Sequence, residues 1–210
     1  MKHHLIEFWQ TRKIITDRKL LKAFEQVDRA PFMHPHMKQD AYIDNAFPIG
    51  HGQTISQPTT VMLMTQALEL KKGDKVLEVG AGSGYQAALI AKIVEPEKVI
   101  TTEIIPELVE VARLNLEKAG IRNVEVIEHD GSKGYEKETP FDKIIVTAAC
   151  PAIPKPLIEQ LKEGGIIVAP VGSLCFGQKM IKAKKIKGRL KKTNLGMFVF
   201  VPLKGEHGYK

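Results

Sequence analysis

The chain has 210 residues, 43% of them hydrophobic and 26% charged, with a formal net charge of +7. That length suits one globular domain, and no apolar run approaches the roughly 20 residues needed to cross a bilayer. Only Cys150 and Cys175 occur, and no Cys-x-x-Cys pair is present, which argues against a disulfide framework or a thiolate zinc site and predicts two buried, reduced thiols.

The N-terminus, MKHHLIEFWQTRKIITD, has no continuous apolar stretch before a small-residue cleavage site, so a cytoplasmic location is expected. The first 45 residues hold two amphipathic helical segments, the second capped by Thr16 or Asp17. The stretch GHGQTISQPTT, Gly50 to Thr60, then crowds glycines, hydroxyls and His51 ahead of a helical pattern at Val61, Met64 and Leu68. With Pro58 in the first turn of that helix, Ser56 is favoured as part of a carboxylate cradle beside free N–H groups, or as a residue closing over the methyl donor, over a simple N-cap, and the two readings are compatible. His51 is either a substrate contact or a structural loop residue.

From residue 74 onward, β-branched runs alternate with helical patterns. Strands are predicted at 75–80, 98–103, 123–130, 141–148 and 165–172, and helices at 85–94, 106–120 and over PLIEQLKEGG. Pro106 and Gly120 punctuate the second helix at start and end. Such alternation predicts a doubly wound α/β fold, a mostly parallel sheet covered on both faces. The last 35 residues add an antiparallel hairpin. The expected division is 1–73 for N-terminal helices and active-site loop, 74–172 for the α/β core, and 173–210 for the hairpin.

The segment LEVGAGSGY follows the first core strand and opens a helix, so its N–H groups face a ligand. Gly80, Gly82 and Gly84 form Gly-x-Gly-x-Gly, which is not the dinucleotide spacing Gly-x-Gly-x-x-Gly. Glu78, just before the loop, would repel a pyrophosphate but accept from an ammonium group. Glu103, nineteen residues beyond Gly84, ends the next strand where a carboxylate takes ribose hydroxyls. Asp130-Gly131 ends the third, within reach of an adenine amino group. These features fall at successive carboxyl ends of strands and resemble the class I S-adenosylmethionine methyltransferases, with Ser83, Tyr85 and Ile104 completing the expected cofactor set.

The motif GQTISQP upstream of VLEVGAGSGYQAA, with VDRAPF before it and DGSKGY, FDKIIVTAACPAIPKPLIEQLKEGG and FVPL after it, is similar to the protein-L-isoaspartate O-methyltransferase family from about Val27 to Glu206. That resemblance implies methyl transfer from S-adenosyl-L-methionine to the free α-carboxylate of L-isoaspartyl residues in proteins and peptides. The ester then collapses to a succinimide, and S-adenosyl-L-homocysteine is the other product. It makes Ser56 the active-site serine, Gln53, Thr54, Ile55 and Ser56 the loop between cofactor and acceptor, Thr54 and Ser56 acceptor contacts, and Arg29 a residue of the substrate region. The chain departs from the family at His129-Asp130-Gly131, where Gly-Asp-Gly is common, and at Leu195-Gly196.

Between Gln178 and Lys192 lie eight basic residues and no acid. The strip reads as a lysine-guarded hairpin turning at Lys187-Gly188; no aromatic residue interleaves for base stacking. The alternative, a tRNA methyltransferase, is disfavoured because TAACPAIP stands where base-amine methylation uses Asn/Asp-Pro-Pro-aromatic. His3-His4 and His34-Pro-His36 lack further ligands at useful spacing, so no metal is expected. A monomer without nucleic-acid or membrane partners is the expectation.

Overall fold

The computed structural model describes residues Met1–Lys210. The N-terminal part comprises α1 (Lys2–Thr11), α2 (Arg18–Gln26), two 3-10 turns (Ala30–Phe32 and Pro35–Asp40), a two-stranded ribbon of β1 (Phe47–Gly50) and β2 (Gln53–Ile55), and α3 (Pro58–Ala67). Asp17 caps α2, accepting from the N–H groups of Lys19 and Leu20, which satisfies donors that a helix start leaves free. Trp9 of α1 meets Phe24 of α2 edge-on, with ring centroids 4.9 Å apart.

The core follows as β3 (Val76–Val79), α4 (Tyr85–Val94), β4 (Val99–Glu103), α5 (Pro106–Lys118), β5 (Val124–Glu128), β6 (Phe141–Val146), α6 (Lys155–Gln160), β7 (Leu161–Ser173), β8 (Gly177–Ile186) and β9 (Arg189–Phe198). The strands form one seven-stranded sheet in the order β5-β4-β3-β6-β7-β8-β9. Pairing is parallel from β5 to β7 and antiparallel from β7 to β9. β3 and β4 are buried along their whole length, as central strands covered on both faces must be. The N-terminal helices pack directly on this core. Trp9, Phe24 and Phe32 belong to the same apolar cluster as α4 and α5, while the opposite face of the sheet packs against Leu157 of α6.

Two expectations need correction. The helix expected over PLIEQLKEGG stops at Gln160, and β7 begins at Leu161, not at 165. Buried Leu161 pairs with Phe141 across a register shift, so sheet pairing overrides the local helical pattern. Cys150 is buried, whereas Cys175 lies exposed on the β7–β8 turn.

The basic strip forms β8 and the outermost strand β9, turning at Lys187 (φ 51°) and Gly188 (φ 73°). Two left-handed residues in succession match the twist of the flanking strands. Part of the strip serves the fold: Lys182 pairs with Glu69, and the Lys185 ammonium donates to the carbonyls of Ile158 and Leu161, each at 2.7 Å, closing the end of α6.

Candidate active site

The carboxyl ends of the parallel strands open into a cavity of about 870 Å3, a volume that includes the open space at its mouth. β3 and the glycine loop contribute Glu78 to Ser83, β4 contributes Thr102, Glu103, Ile104 and Ile105, β5 contributes His129 and Gly131, and β6 contributes Thr147. Gln53, Thr54, Ile55 and Ser56 at the ribbon, Val61 and Met64 of α3, Tyr85 and Gln86 of α4, Ala148 after β6, and Val201 to Lys204 beyond β9 complete the walls. This is the position where open α/β sheets bind ligands.

The glycine loop needs its glycines for closeness. Gly80 has φ 98°, and a Cβ there would stand 2.5 Å from Thr147 Oγ1, whose hydroxyl donates to Gly80 O at 2.6 Å. At Gly131 a Cβ would meet Thr102 Oγ1 at 2.3 Å and Val79 Cγ1 at 2.7 Å. Gly84 belongs to the loop but not to the cavity wall. With φ 87° it lies against Leu116 and the carbonyl of Ala112, so its lack of a side chain serves helix packing.

Two carboxylates face the cavity in different states. Glu103 is held by three backbone donors, Gly82 N–H at 2.9 Å, Ile104 N–H at 2.9 Å and Ile105 N–H at 3.1 Å, which fix its orientation and leave lone pairs for ligand hydroxyls. Glu78 is fully buried. One oxygen accepts from the Thr101 hydroxyl, while Oε1 has no partner in the chain. Burial, reinforced by the charge of Glu103 and opposed by Thr101, pushes its pKa up to about 8. A buried carboxyl oxygen with nothing to accept from is costly unless a donor is supplied, and an ammonium group is the donor that such a site fits. This oxygen, together with the closeness enforced at Gly80 and Gly131, fits the amino-acid moiety and body of S-adenosylmethionine.

A second, smaller cavity of about 380 Å3 adjoins the first, lined by Ala46, Gln57, Thr60, Val199 and Phe200. Four residues, Thr54, Ser56, Thr147 and Val201, line both. Ser56 therefore stands on the partition. It is not the N-cap of α3. That position is Gln57, with no side-chain cap, and the helix start is held from a distance by Asp44, whose carboxylate accepts from Thr59 N–H at 2.8 Å and Thr59 Oγ1–H at 2.7 Å. Trp9 Nε1–H donates to the same Thr59 oxygen at 2.8 Å. The segment from Asp44 to Thr59 is thus closed at its base, with the β1–β2 ribbon as its tip and Ile49 near Gly82.

Three other expected site residues lie off the walls. Arg29 is wholly buried, with its guanidinium 5.1 Å from the centroid of the Tyr85 ring and its nitrogens free of hydrogen-bond partners in the chain. Burial lowers its pKa to about 10. It supports Tyr85 from behind and touches no substrate cavity. His51 occupies the exposed turn of the ribbon at φ 53°. Asp130 is turned toward the C-terminal segment and is absent from the cavity wall. Its carboxylate accepts from Ser132 N–H at 3.0 Å, Ser132 Oγ–H at 2.6 Å and Glu206 N–H at 2.8 Å. Burial alone would raise its pKa, but these bonds and Lys133 hold it below the usual value. At this strand end the wall is made by His129 and the Gly131 backbone instead. Sequence reasoning missed Thr147, Val201 to Lys204 and Asp44; the residue pattern TAAC after β6 and the FVPL match were their only local signals.

A sequence profile described as Protein-L-isoaspartate(D-aspartate) O-methyltransferase (PCMT) matches residues 1–208. The chain is 54% identical over 194 residues to Protein-L-isoaspartate O-methyltransferase 2 of Archaeoglobus fulgidus, covering 92% of this chain and 88% of that one. It is 48% identical over 206 residues to Protein-L-isoaspartate O-methyltransferase of Pyrococcus horikoshii, covering 98% and 93% respectively. Its fold matches the beta-aspartate methyltransferase (PCMT) of Plasmodium falciparum, solved in complex with S-adenosyl-L-homocysteine, with a TM-score of 0.84, 30% identity, and coverage of 96% and 97%. With the Gln53–Ser56 loop closing a glycine-lined cavity at the carboxyl edge of the sheet, the chain belongs to the protein-L-isoaspartate O-methyltransferase family.

Proposed function

We infer that the chain is a protein repair enzyme in which the larger cavity holds S-adenosylmethionine and the smaller one admits the isoaspartyl carboxylate, Ser56 and Thr54 lying between them. The shared wall of the two cavities carries this reading. The enzyme is an S-adenosylmethionine-dependent protein-L-isoaspartate O-methyltransferase, not an RNA methyltransferase, and its substrates are damaged proteins and peptides.

When bound, S-adenosylmethionine supplies an electrophilic sulfonium methyl group. The acceptor carboxylate is already ionised at neutral pH, so no residue has to remove a proton from it. Ser56 donates a hydrogen bond to the carboxylate and aligns one oxygen with the methyl group; such alignment is worth on the order of 7 to 11 kcal/mol when complete. Glu78 would accept from the ammonium group of S-adenosylmethionine, Glu103 from its ribose hydroxyls, and the Gly131 backbone would leave room for its adenine. Gln53 to Ile55 cover the reacting centre and exclude water.

We further propose that the protein acts as a monomer in the cytoplasm without a nucleic-acid partner. Two free cysteines suit a reducing compartment, and Lys182 and Lys185 of the basic strip are engaged within the fold.

Ser56→Ala tests the assignment. Turnover of an isoaspartyl peptide should fall by on the order of 10- to 1,000-fold, with S-adenosyl-L-homocysteine affinity and melting temperature nearly unchanged. The product should be an alkali-labile ester formed on the isoaspartyl peptide and not on its aspartyl twin or on tRNA. An active Ser56→Ala enzyme would remove Ser56 from the acceptor site.

A further inference from the structure

Four large apolar side chains stand in solvent at one end of the C-terminal sheet: Phe176 (86% exposed), Val199 (87%), Met197 (59%) and Leu174 (47%). Leu174 and Phe176 occupy the β7–β8 turn. Met197 and Val199 project from one face of the chain leaving β9, two residues apart. Gly177 lies opposite them, where a Cβ would touch Met197 Cε at 3.7 Å and Val199 Cγ2 at 3.9 Å, so the turn and the strand form one surface. Grouped exposure of this kind marks an interaction site more often than scattered single residues do.

The surface is joined to the acceptor side of the molecule. Val199 also lines the smaller cavity, together with Ser56 and Thr54. Buried Gln178 fixes the connection: its Nε2–H donates to Ser173 O at 2.7 Å, at the base of the turn, and its Oε1 accepts from Phe200 N–H at 2.9 Å, on the cavity wall. Tyr209 adds a hydroxyl donated to Gly172 O at 2.5 Å. The lip is therefore held in place relative to the cavity. β9 is the outermost strand, so its free edge leaves backbone groups beside the lip that an extended chain can pair with.

We propose that Leu174, Phe176, Met197 and Val199 form a docking lip for apolar side chains that flank the isoaspartyl residue in an extended, unfolded segment of a damaged protein. The proposal rests on the smaller cavity being the acceptor site. A folded domain buries such side chains, so the lip favours damage in chain segments that have lost their packing, over isoaspartate on an intact polar surface loop.

The test uses two isoaspartyl peptides of equal length and charge, one with Leu and Phe two to four residues from the isoaspartate, the other with Ser at those positions. The parent enzyme should show a KM about 5- to 20-fold lower for the apolar peptide, with similar kcat, as expected from partial burial of one or two side chains. Leu174→Ser/Phe176→Ser, and separately Met197→Thr, should erase that difference while leaving the Ser peptide and S-adenosyl-L-homocysteine affinity unchanged. Equal KM values in the parent, or equal loss on both peptides in the variants, would overturn the lip. So would a parent dimer in sedimentation that Phe176→Ser converts to monomer, which would assign the surface to a second copy of the chain. If the acceptor cavity itself were misassigned, Ser56→Ala would keep full turnover on the Ser peptide, an outcome independent of the flanking side chains.

Discussion

The two halves of the active site are built differently. The cofactor half is a fixed surface: β3 and β4 are buried throughout, Gly80 and Gly131 are pressed against Thr147 and Thr102, and Glu103 is held by three N–H groups. The half proposed to take the acceptor is a partly exposed ribbon clasped at its base by Asp44 and Thr59 and met by the chain leaving β9. Rigid donors suit a ligand that is always the same molecule, whereas a ribbon whose Phe47, Ile49 and Ile55 pack on the core while its turn at His51 stands exposed suits acceptors whose flanking residues differ every time.

The largest expected effect that separates the halves comes from Gly80→Ala. A methyl group 2.5 Å from Thr147 Oγ1 at φ 98° forces the loop to move, and S-adenosyl-L-homocysteine binding by calorimetry should weaken by at least about 100-fold. Near-parental affinity would show that the cofactor half is as adaptable as the ribbon. Glu103→Ala comes next, at about 2 to 3 kcal/mol or roughly 30- to 150-fold in affinity, since charged acceptors for two hydroxyls are lost. Unchanged affinity in a folded variant would remove Glu103 from the ribose position.

Glu78 makes the cofactor half pH-sensitive. With its pKa near 8, the free protein carries this carboxyl neutral at pH 6 to 7, and pairing with an ammonium group requires it to ionise. Below pH 8 binding therefore releases a proton and affinity should rise with pH by up to about tenfold per unit, passing through a maximum near pH 8, where the ligand's own α-ammonium begins to lose its proton. Calorimetry in buffers of different ionisation enthalpy reads the proton directly, and Glu78→Gln should abolish the slope. The same slope in Glu78→Gln would place the titration elsewhere. The smallest effect belongs to the ribbon: Asp44→Ala should cost about 1 to 2 kcal/mol of stability and lower kcat severalfold with cofactor affinity intact. An equal loss of cofactor binding would mean that the clasp serves both halves.

What was legible in the sequence follows this division. Strand-helix alternation, the glycine spacing, and Glu78 and Glu103 at strand ends are local patterns, and the structure places Gly80, Gly82, Glu78 and Glu103 together on one cavity. The acceptor half depends on contacts between residues far apart in the chain. Pro58 made a cap the alternative reading of Ser56, and the structure removes that alternative, because the carboxylate at the helix start comes from Asp44. Arg29 sits in a polar-looking motif but is sealed behind Tyr85, an outcome decided by the packing of Phe32 and Tyr85, whose rings lie 5.4 Å apart. Thr147 meets Gly80 across 67 positions, and no spacing rule anticipates that meeting.

The carboxylate of Asp130, expected at the adenine, instead grips the Glu206 amide 76 positions away, while its neighbours His129 and Gly131 remain on the cavity wall. The amide protons of Glu206 and of His207, which donates to Ser132 Oγ, consequently exchange with solvent only when this corner of the site loosens. Because His129 and Gly131 line the cavity on either side of Asp130, cofactor binding should slow the exchange of these two amides, making the C-terminal segment a gauge of occupancy in deuterium uptake without any label on the cofactor; equal uptake with and without S-adenosyl-L-homocysteine would uncouple this corner from the site.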